Sequence, residues 1–110
     1  MATPAALGDF EQLVLLAVLQ ASQHGEAYGI PVYDALRART TRPVGRGAIY
    51  MTLDRLEKKG LLTSYLTAPI AERGGRARRC YRVTRAATAA LRASRQTLLR
   101  LWDGLDAVVS

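Results

Sequence analysis

One cysteine, one histidine and one tryptophan are all that this 110-residue chain holds of three residue types that often carry chemistry. A lone Cys80 cannot close a disulfide within the chain. Beside Arg79 and Tyr81 in a strand-like stretch, it reads as a small buried or half-buried thiol or, alternatively, as a redox switch. His24 has no Cys or His partner at metal-ligand spacing, so it is expected to be a turn residue and no metal site is expected. No nucleophile and base pairing and no phosphate loop is present either. The chain is therefore not expected to be an enzyme, and no cofactor is implied. Basic residues are missing before Arg37, and the apolar run Leu13 to Leu19 has no positive segment ahead of it, so export is not expected. That run is also short of the roughly 20 apolar residues a bilayer demands. The expectation is a cytoplasmic protein without membrane association.

What the chain does have is arginine, unevenly placed. The formal charge is +7, yet residues 1–22 carry only Asp9 and Glu11, while residues 61–85 hold six Arg against the single acid Glu72. Localised positive charge suits nucleic acid, an anionic membrane surface or an acidic protein partner. The arginines gather around Gly74-Gly75, between two apolar strand-like runs. Paired glycines let a short loop take positive φ, and the arginine fork matches phosphate geometry. Considered alone, the same loop is equally a solvated surface turn.

One domain's worth of chain implies a small core and a reason to oligomerise. Gly8 to Ala21 predicts a first helix, with Asp9 and Glu11 at the positive end of its dipole. Its apolar residues, Phe10, Leu13, Val14, Leu15, Leu16, Val18 and Leu19, wrap nearly all round, so a partner subunit is expected on one face. A second helix is predicted from about Tyr28 to Thr40, with Pro31 in its first turn and Ile30, Tyr33 and Leu36 on its buried face.

The third helix, Arg46 to Gly60, puts Ile49, Thr52, Leu53 and Leu56 on a core face. Its other face carries Gly47, Tyr50, Met51, Asp54 and Lys58, with Arg46 and Arg55 at the edges. Such a face fits a nucleic-acid groove; a solvated face with an Asp54 to Lys58 pair is the alternative. Leu61 to Thr67 and Cys80 to Thr84 read as antiparallel strands joined by the arginine turn, which makes a wing. The final segment, about Arg85 to Val108, repeats Leu91, Leu98 and Leu105 every seven residues, a short coiled-coil seam widened by Leu99, Leu101 and Trp102. As one helix it would run roughly 35 Å, more than its own domain can cover. The fold expected is mainly α with a small antiparallel β-hairpin: a winged helix-turn-helix over residues 1–84, with helix 8–22 contributing to the dimer, and a long dimerisation helix over 85–110.

Four stretches resemble the PadR family of bacterial transcriptional regulators: Leu7-Gly-Asp-Phe-Glu-Gln-Leu-Val-Leu-Leu, Ala27-Tyr-Gly-Ile, the third helix through Leu62, and Glu72 to Thr84 with its Gly-Gly-Arg. The resemblance runs from Leu7 to about Leu105. It implies a homodimeric repressor on operator DNA, with the third helix in the major groove and the wing on the backbone or minor groove. Tyr50 would then hold a phosphate, and Arg46, Gly47 and Met51 would approach base edges. Arg73, Arg76 and Arg78 would act from the wing, whose tip includes Gly74 and Gly75, with Arg55 and Lys58 as further bases on the helix. The chain departs from the family pattern at Ala87, where a glycine is usual, and at Gly45, where a serine commonly caps the helix.

Small members of the family sense ligands at an interface between first and last helices. Phe10, Leu13, Leu91, Leu98, Leu101, Trp102 and Leu105 are the dimerisation candidates. Trp102 either packs in that dimer or stacks on a small aromatic or hydrophobic effector. Beside the DNA-binding reading stands a winged-helix module that binds an acidic protein partner.

Overall fold

In a computed structural model, residues 6–68, 74–75 and 77–110 are described; Arg73 and Arg76 lie outside them. The element order is α1 (Asp9–Ser22), α2 (Gly29–Arg39), α3 (Arg46–Lys58), β1 (Leu62–Leu66), β2 (Arg79–Val83), α4 (Arg85–Trp102) and α5 (Asp106–Val109). The two strands form one antiparallel hairpin, with Leu62 opposite Val83 and Leu66 opposite Arg79. Gly74 and Gly75 in the connecting segment have φ of 65° and 77°, the positive values that a side chain resists.

The core is where the three-helix unit meets the hairpin. Val14, Leu15 and Val18 of α1, Val32 and Leu36 of α2, and Ile49, Leu53 and Leu56 of α3 bury against Leu61, Leu62 and Tyr81. Helix α3 has the predicted core face, Thr52 included, whose hydroxyl donates to the Ala48 carbonyl at 2.7 Å. Its end is fixed by Gly60 at φ 77°. The Gly60 N–H reaches Glu57 O at 3.0 Å and the Leu61 N–H reaches Leu56 O at 2.9 Å, so the last carbonyls are satisfied. The Tyr81 N–H donates to Ala27 O at 2.8 Å, which ties the wing to the start of α2.

Two expectations are corrected. On α2 the buried residues are Val32 and Leu36, while Ile30 is 51% exposed. Ile30 and Pro31 sit in the first turn, ahead of where the helix meets the core. The last helix is not continuous to Val108: it ends at Trp102, and Gly104 at φ 78° turns the chain into the four-residue α5. Leu105 therefore stands past the break and does not continue the seven-residue seam. Thr84 caps α4 by accepting from Ala87 N–H at 3.2 Å, so alanine in place of the usual glycine gives a regular helix entry.

Only Ala87, Ala90 and Leu91 of α4 are buried. Beyond Ser94 the helix leaves its own domain, and Leu98, Leu99, Leu101 and Trp102 are exposed. The radius of gyration, 15.9 Å, reflects that projection; a compact chain of this length has about 13 Å. Among the described residues no helix is long and apolar enough to cross a membrane.

Candidate nucleic-acid interface

Helix α3 begins at Gly45, whose extended backbone caps the helix without a side-chain acceptor. Gly47, Tyr50, Met51, Asp54, Arg55 and Lys58 are all exposed, and so is Arg46. The amphipathic split that fills the core with Ile49, Leu53 and Leu56 thus leaves one continuous solvent face. Tyr50 stands 48% exposed and Met51 67%, so both present large side chains on that face.

Tyrosines from α2 and the wing organise the arginines around that face. The Arg46 guanidinium lies 5.1 Å from the Tyr33 ring centre, with Arg37 at 5.5 Å from the same ring. Arg78 stacks 4.2 Å from the Tyr28 ring, so the turn end of the hairpin is pinned to the start of α2. Arg79 donates to Glu57 Oε1 at 2.5 Å, joining β2 to the last turns of α3. The Ser64 hydroxyl holds the other Glu57 oxygen at 2.6 Å. These two contacts, Ser64 foremost, outweigh burial and hold the Glu57 carboxyl below its ordinary pKa. On the far side of the hairpin Arg82 covers the Tyr65 ring at 4.3 Å. Arg85 is the exposed first residue of α4.

Tyr28, Gly29, Tyr50, Asp54, Arg79 and Tyr81 together line a shallow cleft of about 340 Å³ between α2, α3 and the wing. Burial raises the Tyr81 hydroxyl above its ordinary pKa. The structure thus brings Arg46, Gly47, Tyr50, Met51, Arg55 and Lys58 onto one helix and sets Arg78 on Tyr28 at the turn end of the hairpin. Gly74 and Gly75 are exposed in the turn. Sequence reasoning gave no role here to Tyr28 and Gly29, though both stand in the Ala27-Tyr-Gly-Ile stretch, nor to Tyr33, and it missed Arg37 and the Glu57 to Arg79 pair. Gly29 had a signal: a glycine in the first turn of a helix with no need for positive φ implies close approach by another group.

The dimerisation candidates divide. Phe10 and Leu13 are half-buried, Leu91 is only 8% exposed and belongs to the core of its own domain, and Leu98, Leu101, Trp102 and Leu105 are exposed. Between α1 and α4 runs an apolar groove of about 530 Å³ lined by Leu13, Leu16, Leu19, Leu91, Leu98 and Leu99, with Arg92 and Arg95 at its rim. Trp102 lies past its end, beside Leu99 and the Asp103-Gly104 turn. Cys80 is fully buried, opposite Tyr65 across the hairpin. No group of three or more His, Cys, Asp or Glu that could hold a metal occurs among the described residues.

Three helices, a two-stranded wing and a projecting helix define a winged helix-turn-helix protein. The chain belongs to the transcriptional regulator PadR-like family, whose model matches residues 15–93. Solved structures agree. A PadR family transcription regulator from Clostridium difficile R20291 is similar at 20% identity with a TM-score of 0.73, over 94% of this chain and 100% of that one. A PadR family transcriptional regulator from Eggerthella lenta DSM 2243 is 27% identical, TM-score 0.63, over 90% and 85%. A PadR-like transcriptional regulator from Bacillus cereus ATCC 14579 is 23% identical, TM-score 0.70, over 92% and 91%. No curated protein matches the chain.

Proposed function

We propose that the chain is a cytoplasmic, sequence-specific repressor that binds operator DNA as a homodimer. The observation that carries this reading is the bare face of α3, where Gly47, Tyr50 and Met51 stand exposed, together with Arg46 stacked on Tyr33 of α2 and Arg78 on Tyr28 at its N-cap. Arg46, Gly47 and Met51 read base edges in the major groove, and Tyr50, Arg55 and Lys58 hold phosphates. The wing adds phosphate affinity through Arg73, Arg76 and Arg78 around Gly74-Gly75. A second copy covers the exposed end of α4, with α1 beside it, so that two recognition helices enter successive major grooves about one helical turn apart. A small aromatic or hydrophobic effector, stacked on Trp102 or held in the neighbouring groove, releases the DNA.

Selection of bound duplexes from a random or genomic pool tests the reading. A symmetric motif of two half-sites is expected, and the selected duplex should outcompete random duplex by orders of magnitude. Equal competition by random duplex overturns sequence-specific binding and favours the acidic-partner module. For the effector, quenching of Trp102 fluorescence by aromatic compounds at constant oligomeric state is expected; no response across a broad panel leaves Trp102 as dimer packing.

A further inference from the structure

Two carboxylates on the first turn of α1 hold the chain on either side of α3, one in the connector ahead of the helix and one at its C-cap. Asp9 Oδ2 accepts from Arg42 Nη1 at 2.5 Å, in the connector that leads into α3, and the Arg42 guanidinium also lies 5.4 Å from the Phe10 ring centre. Glu11, 4% exposed, takes the Lys59 ammonium on both oxygens, at 3.0 and 2.8 Å. Lys59 is the C-cap of α3. Glu11 Oε1 also accepts the Gly8 N–H at 2.8 Å, so the carboxylate caps α1 and has no freedom to swing.

An apolar residue would fill a buried site at position 11 without the cost of desolvating a charge, and buried ion pairs seldom add net stability. What a bidentate pair adds is direction. Val14, Leu15 and Val18 share one core with Ile49, Leu53 and Leu56, and the ridges of such helices limit the crossing angle only to a range of roughly 15–20°, within which a tether at the end of α3 can choose. Further along the same α1, Leu13, Leu16 and Leu19 turn to the groove shared with α4. One helix thus begins at the tether of the recognition helix and continues into the proposed dimer surface.

We propose that Glu11 and Lys59 are positioning residues that fix the tilt of α3 against the dimer helix, and so set the half-site spacing that the protein accepts. This rests on the dimeric DNA-binding reading above. The lever is long enough to matter: α3 spans roughly 20 Å, and a tilt of about 10° displaces one end against the other by about 3.5 Å, one base-pair step.

The test uses the full chain as wild type, Glu11→Gln, Lys59→Gln and Lys59→Arg. The probes are the duplex selected by the wild type, the same duplex with one base pair added or removed between half-sites, and a lone half-site. Both Gln variants should lose preference for the selected spacing by about threefold to thirtyfold, with lone half-site affinity little changed and Lys59→Arg close to wild type. Charge alone predicts otherwise: Glu11→Gln removes a negative charge and tightens every duplex, Lys59→Gln weakens every duplex, and the spacing preference stays. That pattern overturns the proposal. If Glu11→Gln fails to fold because α1 has lost its cap, Lys59→Gln decides, since its side chain is 43% exposed; a retained preference then overturns the proposal. A wild type that selects no duplex overturns the DNA-binding reading and this proposal with it.

Discussion

The Tyr50 hydroxyl occupies the space in which a Cβ at Gly29 would stand, and the ring carbons Cε1 and Cζ would lie only 2.7 Å from that atom. Gly29 opens α2 and has no positive φ, so spatial crowding rather than backbone conformation calls for glycine. The solvent face of α3 is thereby seated on the start of α2. Gly29→Ala should either drive Tyr50 out of its seat or cost about 1–3 kcal/mol in overpacking. A lowered melting temperature together with weaker operator binding is expected. Adding Tyr50→Ala to Gly29→Ala should restore much of the stability but not the binding. A Gly29→Ala protein that melts and binds like wild type would show that the ring has somewhere else to go.

Gly47 poses the opposite case. A methyl at Gly47 would meet nothing within 4 Å, so the fold itself has no use for glycine there. Alanine favours a helix over glycine by up to about 1 kcal/mol. Gly47→Ala should therefore raise the melting temperature while weakening operator binding, because in the proposed complex the close approach it blocks is to DNA. Unchanged or tighter binding would remove Gly47 from the interface.

For the wing, the sequence places Arg73 and Arg76 on either side of Gly74-Gly75. Replacing both with Ala should weaken selected and random duplexes by a similar factor and flatten the salt dependence by about one unit of slope for each phosphate no longer neutralised. Arg46→Ala and Met51→Ala should instead relax sequence preference. An unaltered salt slope in the double wing variant would leave those arginines merely solvated.

Most of this architecture is written in local patterns. Ile49, Thr52, Leu53 and Leu56 recur at helical spacing, and Gly60 and the Gly74-Gly75 pair mark the points where φ turns positive. What escapes the sequence is what depends on long-range geometry. Glu11 reads there as a helix-dipole acid, and its bond to Lys59, 48 residues away, has no sequence period. Likewise Tyr28 and Tyr33 read as generic α2 residues, while each seats an arginine from another part of the chain. The break after Trp102 is hidden because the leucine repeat continues through Gly104, and only the glycine marks the turn.

The Glu11 carboxylate carries a pH signature. Lys59 as hydrogen-bond partner, ahead of the opposing effect of burial, lowers its pKa from the ordinary 4.5. A depressed carboxyl stabilises the fold above its unfolded pKa, and that contribution fades as pH falls through the folded value. The melting temperature of wild type should exceed that of Glu11→Gln at neutral pH, and the gap should narrow as pH is lowered below about 4.5. A gap independent of pH would assign the loss to capping geometry and not to charge.

Helix α4 carries both a core residue and, further on, exposed residues of the proposed dimer interface. Leu91 is 8% exposed within its own domain, so Leu91→Ala should cost about 2–5 kcal/mol whatever the oligomeric state. Leu98 and Leu101, 49% and 67% exposed, lie outside the buried core, Leu98 at the edge of the groove beside α1. Leu98→Asp with Leu101→Asp should therefore keep the helical content and the cooperative melt of the folded domain, yet convert a dimer of the 12.0 kDa chain into a monomer by sedimentation. Operator affinity should fall to that of a lone half-site, because the second recognition helix no longer binds as part of the same particle. A double variant that remains dimeric would move the interface away from α4, and with it the reason this helix runs on past its own core.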